Sequence, residues 1–305
     1  IASKSSGLGH LYRSLALANQ YLLDDIYFVT KEENDLAIQK INDLNYKLII
    51  LNTKNDIQKF IDKYQPDIWI NDCLDTNSEV INQIKNKDIF VVNFEDISSG
   101  SYSAHIVFNA LYEWTGKRKN SFHGYKYECL REDIYFYPIP KVVSKSVKKI
   151  MIAFGGTDIH NATERLVEVI INNNLNYNFI FNVVLGIGNK NCKRIYEITR
   201  DQKNINIYTD VPMISQHIND NDIIISGNGR MVYEAVAMCK PLIVFSQNDR
   251  ETSHVFSRFA ECIIYAGDVR NLSDTYLIDQ INFLLDYKNR KNNPSDLLIL
   301  FATTE

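Results

Sequence analysis

The chain of 305 residues is poor in several things that would decide its class at once. It has 12 glycines and 6 prolines, too few for a collagenous or low-complexity protein. Its 5 cysteines (Cys73, Cys129, Cys192, Cys239 and Cys262) are odd in number and far apart. No C-x-x-C occurs and no Cys/His pair has zinc spacing, so a disulfide framework and a zinc module are both excluded and the thiols read as reduced. There is no basic excess either. Lys and Arg number 33 against 37 Asp and Glu, a net charge of −4, which argues against a broad nucleic-acid-binding face. No apolar run approaches the roughly 20 residues that cross a bilayer, so no membrane span is expected. The first residues carry no basic leader ahead of an apolar core, and a cytoplasmic location is the expectation.

What the chain does have is alternation. Short β-branched runs are separated by amphipathic stretches from one end to the other. In the first half the strand signals are "IYFVT" (26–30), "KLIIL" (47–51), "DIWIN" (67–71), "FVVNF" (90–94) and "HIVFNA" (105–110). Thr76 followed by Glu79 predicts a capping box ahead of the helical "SEVINQIKNK". The pattern lapses at "YFYPIPKVVSKSVKK" and then resumes as "KIMIAFGG", "NFIFNVVLG", "INIYTDV", "DIIISG", "PLIVFS" and "CIIYAG". Near-continuous apolar strands alternating with helices predict parallel sheets covered on both faces. The expected fold class is therefore α/β, with two Rossmann-like doubly wound domains facing a cleft. Boundaries are expected at 1–140 and 148–288, with 289–305 as a tail or helix. A glycine turn at Gly7–Gly9 should follow a strand, and "IASKSS" is too short and polar to be one. The expectation is that the first strand lies outside the chain as given.

Several stretches could carry chemistry. "SGLGHLYRSLALA" is a Gly-x-Gly turn running into a helix with His10 and Arg13 in its first turns. A helix N-terminus disfavours imidazolium, so His10 should stay neutral and able to accept a proton, or else simply cap the helix. Arg13 can pair with a carboxylate or a phosphate. Strand ends at "NDCLDT" and "NFEDISSG" bring Asp72, Asp75, Glu95 and Asp96 to one edge. They could bind a metal or position sugar hydroxyls; Asp75 and Asp96 could equally cap turns. In "AFGGTDIHNATERL", Gly155 and Gly156 allow close approach of a ligand, with Thr157, Asp158 and Asn161 beside them. "IIISGNGRMVYEAVAMCKPLIVFSQNDRE" offers a diphosphate cradle at Gly227, Asn228 and Gly229, with Glu234 one turn into the helix and Gln247 and Asn248 after the next strand. Arg250, Glu251 and His254 follow, as caps, packing or site groups. It is neither a P-loop nor the dinucleotide fingerprint, since neither spacing is met.

Together the glycine–His turn, the Phe-Gly-Gly strand end and the Ser-Gly-x-Gly…Tyr-Glu-Ala helix resemble the GT-B nucleotide-sugar enzymes. That group includes the UDP-sugar hydrolase of pseudaminic acid biosynthesis, the spore-coat polysaccharide proteins of the SpsG type and, more distantly, MurG. "DCLDT", "FED", "NALY" and "QNDRE" look closest to the spore-coat type. Asp72-Cys73-Leu74 departs from the Asp-His-Tyr of the hydrolase. From the residues themselves, Asp72 is a further catalytic candidate, Gly155 and Gly156 are nucleotide-binding candidates, and Gly9, Arg13 and Glu95 are sugar-binding candidates. The resemblance implies that His10 is the catalytic base, that Gly227, Asn228, Gly229 and Glu234 bind the nucleotide with the backbone around Val211 and Met213 at the uracil, and that Gln247 and Asn248 lie near the sugar or diphosphate. It requires no metal and no cofactor. A UDP-linked amino or deoxy sugar is the implied substrate, and its hydrolysis in surface-glycan biosynthesis the leading expectation. The alternatives are glycosyl transfer on the same scaffold and a non-catalytic nucleotide-sugar module. Fusion behind a cytidylyltransferase domain, as in some chains of the spore-coat type, is a further expectation.

Overall fold

The computed structural model describes residues 8–21, 24–112, 119–138, 143–258 and 262–290. Residues 1–7, Gly7 of the first glycine turn among them, and the tail beyond 290 lie outside them, as do residues 139–142 within the stretch where the alternation lapses. The chain divides into two units, Ile1–Cys129 and Leu130–Glu305.

The first unit begins with α1 (Gly9–Ala18) and alternates through β1 (Tyr27–Thr30), α2 (Asp35–Asp43), β2 (Lys47–Ile50), α3 (Lys54–Tyr64), β3 (Ile68–Asn71), α4 (Ser78–Lys85), β4 (Phe90–Phe94), α5 (Ser99–Ser103), β5 (Ile106–Asn109) and β6 (Ser121–His123). All its strand pairs are parallel: β1 with β2, and separately β3-β4-β5-β6 in that order. Among the described residues no strand joins the two sheets. Both are nonetheless served by one apolar cluster, in which Phe60 and Ile61 of α3 pack with Tyr27 and Ile49 on one side and Trp69 and Val91 on the other. Leu11 and Leu15 of α1, one helical turn apart, pack with Ala37 and Ile41 of α2 and with Phe28 and Leu48.

The capping box predicted at Thr76 and Glu79 is absent. Asn77 caps α4 instead, accepting from the Glu79 N–H. The Thr76 hydroxyl donates to Asp96 at 2.5 Å, a partner from the end of β4 that no local pattern could announce. A capping box does form at α3, where Thr53 and Asp56 satisfy each other's backbone N–H groups.

The second unit runs β7 (Lys149–Ala153), α6 (Ala162–Asn172), β8 (Ile180–Leu185), α7 (Cys192–Thr199), β9 (Ile205–Thr209), α8 (Ile214–Asn219), β10 (Ile223–Gly227), α9 (Met231–Ala237), β11 (Leu242–Ser246), α10 (Asp249–Thr252), β12 (Ile263–Asp268), α11 (Asp274–Leu285) and α12 (Tyr287–Arg290). Its six strands form one parallel sheet in the order β12-β11-β10-β7-β8-β9. Every residue of β10 and β11 is buried, as expected of strands covered on both faces. Ile150, Ile152, Phe181, Val183, Ile225 and Ile243 face Leu166, Ile170, Leu277 and Ile281 across a dry helix–sheet layer. Numbered from β7, this is the doubly wound order 3-2-1-4-5-6, whose reversal lies between β7 and β10. Ligands of such sheets bind beyond the strand C-termini at that reversal. The two glycine turns singled out in the sequence follow those two strands.

Candidate active site

In the first unit four side chains meet at the C-terminal edge of the sheet. His10 and Arg13 come from the first turns of α1, Asp72 from the residue after β3, and Glu95 from the residue after β4. Arg13 and Glu95 are each 1% exposed and Asp72 is 8% exposed. The guanidinium forks onto Asp72, with Nε 2.7 Å from Oδ2 and Nη2 2.5 Å from Oδ1, and its Nη1 donates to Glu95 at 3.0 Å. Phe94 lies beneath it, 5.1 Å from ring centre to guanidinium carbon. Glu95 also accepts from the N–H groups of Ala110 and Leu111, at the end of β5.

The Nδ1 of His10 is 2.6 Å from Asp72 Oδ1. Burial opposes ionisation of Asp72, yet the Arg13 charge and hydrogen bonds outweigh it and hold the carboxyl well below the usual carboxylate range. An ionised carboxylate only accepts, so Nδ1 must carry the proton and Nε2 keeps its lone pair. Among the described residues Nε2 has no hydrogen-bond partner, and the side chain is 14% exposed. Burial lowers the His10 pKa from 6.5, with Asp72 pulling the other way. The ring is therefore held neutral and oriented, with Nε2 able to accept a proton. Burial pushes Glu95 up to about 7, against the Arg13 charge and with Glu128 adding to it.

Asp75 is exposed, and Asp96 takes the turn-holding alternative: it accepts from Thr76, from Asn93 Nδ2 at 2.6 Å and from the Ser98 N–H at 2.9 Å. Among the described residues no group of three or more His, Cys, Asp or Glu side chains is arranged to hold a metal ion.

The second unit presents its glycine loops at adjacent strand ends. Gly155 has φ +76°, a conformation other residues rarely adopt, and a Cβ there would meet no atom within 4 Å; the same open space faces Gly229. Gln247, after β11, reaches over the end of β10 and donates from Nε2 to the Phe154 carbonyl at 3.1 Å. That path explains Gly227, where a Cβ would stand 2.8 Å from Gln247 Nε2. The Gln247 Oε1 is buried with no partner among the described residues.

Asn228 turns inward: its N–H donates to the Phe245 carbonyl at 2.9 Å and its Nδ2 to the Glu251 carbonyl at 2.8 Å. Asn248 caps α10. Asp158 occupies the first N–H groups of α6, accepting from Ala162 at 2.7 Å and Thr163 at 2.9 Å. Glu234 is buried in the first turn of α9. Val211 and Met213 follow β9, and the intervening Pro212 carbonyl accepts from Arg131. Ser215, two residues on, donates its N–H and hydroxyl to Asp133.

Of the residues named at the helix mouth, Glu251 accepts from the Gln247 N–H and His254 packs, its Nδ1 donating to the Asn228 carbonyl at 2.5 Å; the support that sequence reading missed is the Arg131–Asp133 pair.

No family model matches the chain. It is 31% identical over 302 residues to the uncharacterized protein MJ1062 of Methanocaldococcus jannaschii, a match that covers 90% of this chain and 58% of that protein. The chain thus spans just under three-fifths of the curated relative's length. Among solved structures, MurG of Acinetobacter baumannii superposes with a TM-score of 0.64 at 12% identity, covering 97% of this chain and 92% of that one. A spinosyn rhamnosyltransferase, SpnG, complexed with thymidine diphosphate gives 0.62 at 10% identity, over 97% and 92%. UDP-GlcNAc 2-epimerase from Neisseria meningitidis bound to UDP-GlcNAc gives 0.56 at 13% identity, over 99% and 93%. At these identities the likeness establishes the fold: an α/β chain of the GT-B class.

Proposed function

We propose that this chain is a nucleotide-sugar enzyme that transfers a glycosyl group from a UDP-sugar to an acceptor hydroxyl, with His10 as general base. The observation that carries this reading is the Asp72–His10 pair, which leaves a neutral imidazole with its Nε2 lone pair unengaged at the C-terminal edge of a parallel sheet. The acceptor O–H proton goes to Nε2 while the oxygen forms its bond to the anomeric carbon. The bond from that carbon to the diphosphate oxygen breaks, and its electron pair leaves with UDP.

The second unit supports the nucleotide half of the reading. Gly155, Gly156, Gly227 and Gly229 flank the strand-order reversal, where diphosphates bind in doubly wound sheets. Glu234 would take ribose hydroxyls, the loop at Val211 and Met213 the base, and the orphan Gln247 Oε1 a sugar or ribose hydroxyl. Asn228 and Asn248 serve this site by shaping its loops. Two of the proteins that share the fold carry a nucleoside diphosphate or its sugar in their structures, and one is a transferase by name. They give transfer more support than the hydrolysis favoured by the sequence resemblance.

The deciding experiment incubates the chain with a panel of UDP-sugars, with and without simple sugar acceptors, and follows UDP and products by mass spectrometry. Transfer predicts UDP release that depends on the acceptor, with a matching glycoside. Release of UDP and free sugar in equal amounts without acceptor restores hydrolysis. Binding without release makes the chain a binding module, and absence of UDP binding overturns the reading altogether.

A further inference from the structure

We propose that Arg13 and Glu95 are a positioning pair that pins both oxygens of Asp72, and through Asp72 fixes the tautomer and orientation of His10. This rests on the reading of His10 as the base. It gives two residues expected to touch sugar a different task.

Each of the three Arg13 nitrogens donates to a carboxylate, two to Asp72 and one to Glu95. Asp72 Oδ1 is shared between Arg13 Nη2 and His10 Nδ1, so the fork that holds this oxygen also sets where the imidazole can dock. Lysine could not reproduce this, because an ammonium is a point donor and cannot grip two oxygens in one plane.

Glu95 is the anchor of the chain of contacts. It is a non-glycine residue at φ 52°, a left-handed conformation at the end of β4 that the structure holds in spite of its strain. The neighbouring strand end receives its carboxylate on the N–H groups of Ala110 and Leu111. Three consecutive strand ends are thereby tied to the first turns of α1.

Stability alone is a poor account of such a cluster, because buried ion pairs are often matched by apolar residues of similar volume. The cluster also has a direction. It starts at a fully buried carboxylate and ends at an imidazole whose outer nitrogen is unengaged.

The test uses the full chain, labelled with 15N, and long-range 1H–15N spectra of the histidine rings, with His10→Asn assigning the His10 signals. Wild type should show one tautomer, protonated at Nδ1. In Arg13→Lys and Glu95→Gln, which keep charge and shape respectively, a second tautomer protonated at Nε2 should appear. Turnover should fall by about 10- to 100-fold, with the dissociation constant for UDP unchanged within twofold. Variants that melt earlier yet keep the single tautomer and full turnover per folded molecule would overturn the proposal. A wild-type ring protonated at Nε2 would do so even if neither variant folds. If no UDP-sugar is turned over at all, the transfer reading fails while the tautomer comparison still decides the role of the pair.

Discussion

His10 gathers its properties from surroundings that act against one another. It lies at the N-terminus of α1, whose own first turn carries no acidic residue, and burial adds to the disfavour of its charged form. Asp72 opposes both without prevailing. If His10 is the base as proposed, its lowered pKa predicts activity that persists at mildly acidic pH and falls as further acidification protonates the ring. The acid limb of the kcat/KM profile should therefore sit below 6.5. His10→Asn should lose about 10²- to 10⁴-fold in turnover while keeping its affinity for UDP and its melting temperature. Isothermal titration and thermal melts separate this from a capping role, which would cost stability and leave turnover intact. His254 makes the companion case for stability. Burial lowers its pKa to about 4, so the unfolded chain binds a proton there that the folded chain refuses. Stability from this residue is intact above 6.5 and is lost as pH falls towards 4, by about 3 kcal/mol at most. Denaturant titrations of wild type and His254→Gln should differ in their pH dependence by an amount of that order, with the variant the flatter.

Among the secondary elements, local chemistry is decisive where both partners are near in sequence. The Thr53–Asp56 box is an example, and Thr53→Ala should cost about 1 kcal/mol in a urea titration. Gly227 shows the opposite regime. Its own backbone has no left-handed φ, and what a Cβ would meet there is the end of the Gln247 side chain, which crosses on its way to Phe154. Gly227→Ala should displace Gln247 and cost about 1–3 kcal/mol through overpacking. UDP binding should weaken with it, while the His10 ring signals stay where they are. A variant that binds UDP as wild type does would show that the Gln247 bridge is incidental to the site.

Across the chain as a whole, the two units carry different halves of the proposed chemistry. Saturating UDP, at a hundredfold excess over its dissociation constant, should raise stability by about 2.7 kcal/mol. Hydrogen exchange should slow at the loops after β7, β10 and β11 and at residues 211–213. Protection confined to the turn at His10 would contradict the assignment of the nucleotide to the second unit.

Strand positions in both units were readable in advance to within a few residues, because buried parallel strands demand unbroken apolar runs and the turns between them are polar. The short β6 escaped, since "SFH" has neither the length nor the apolar content to announce itself. The strand ends that hold Asp72, Glu95 and the glycine loops of the second unit were legible for the same reason. Side-chain partnership was not. Arg13 and Asp72 are 59 residues apart and Arg13 and Glu95 82 apart, and a guanidinium reads identically whether it awaits a ligand or grips two buried carboxylates. Thr76 looked like a cap until Asp96 claimed its hydroxyl. Periodicity and turn chemistry act over one or two turns of chain, and so they survive in the sequence alone. Tautomer, pKa and the direction of a buried hydrogen bond depend on charges and dipoles that only the packing of distant strand ends brings within a few ångströms of one another.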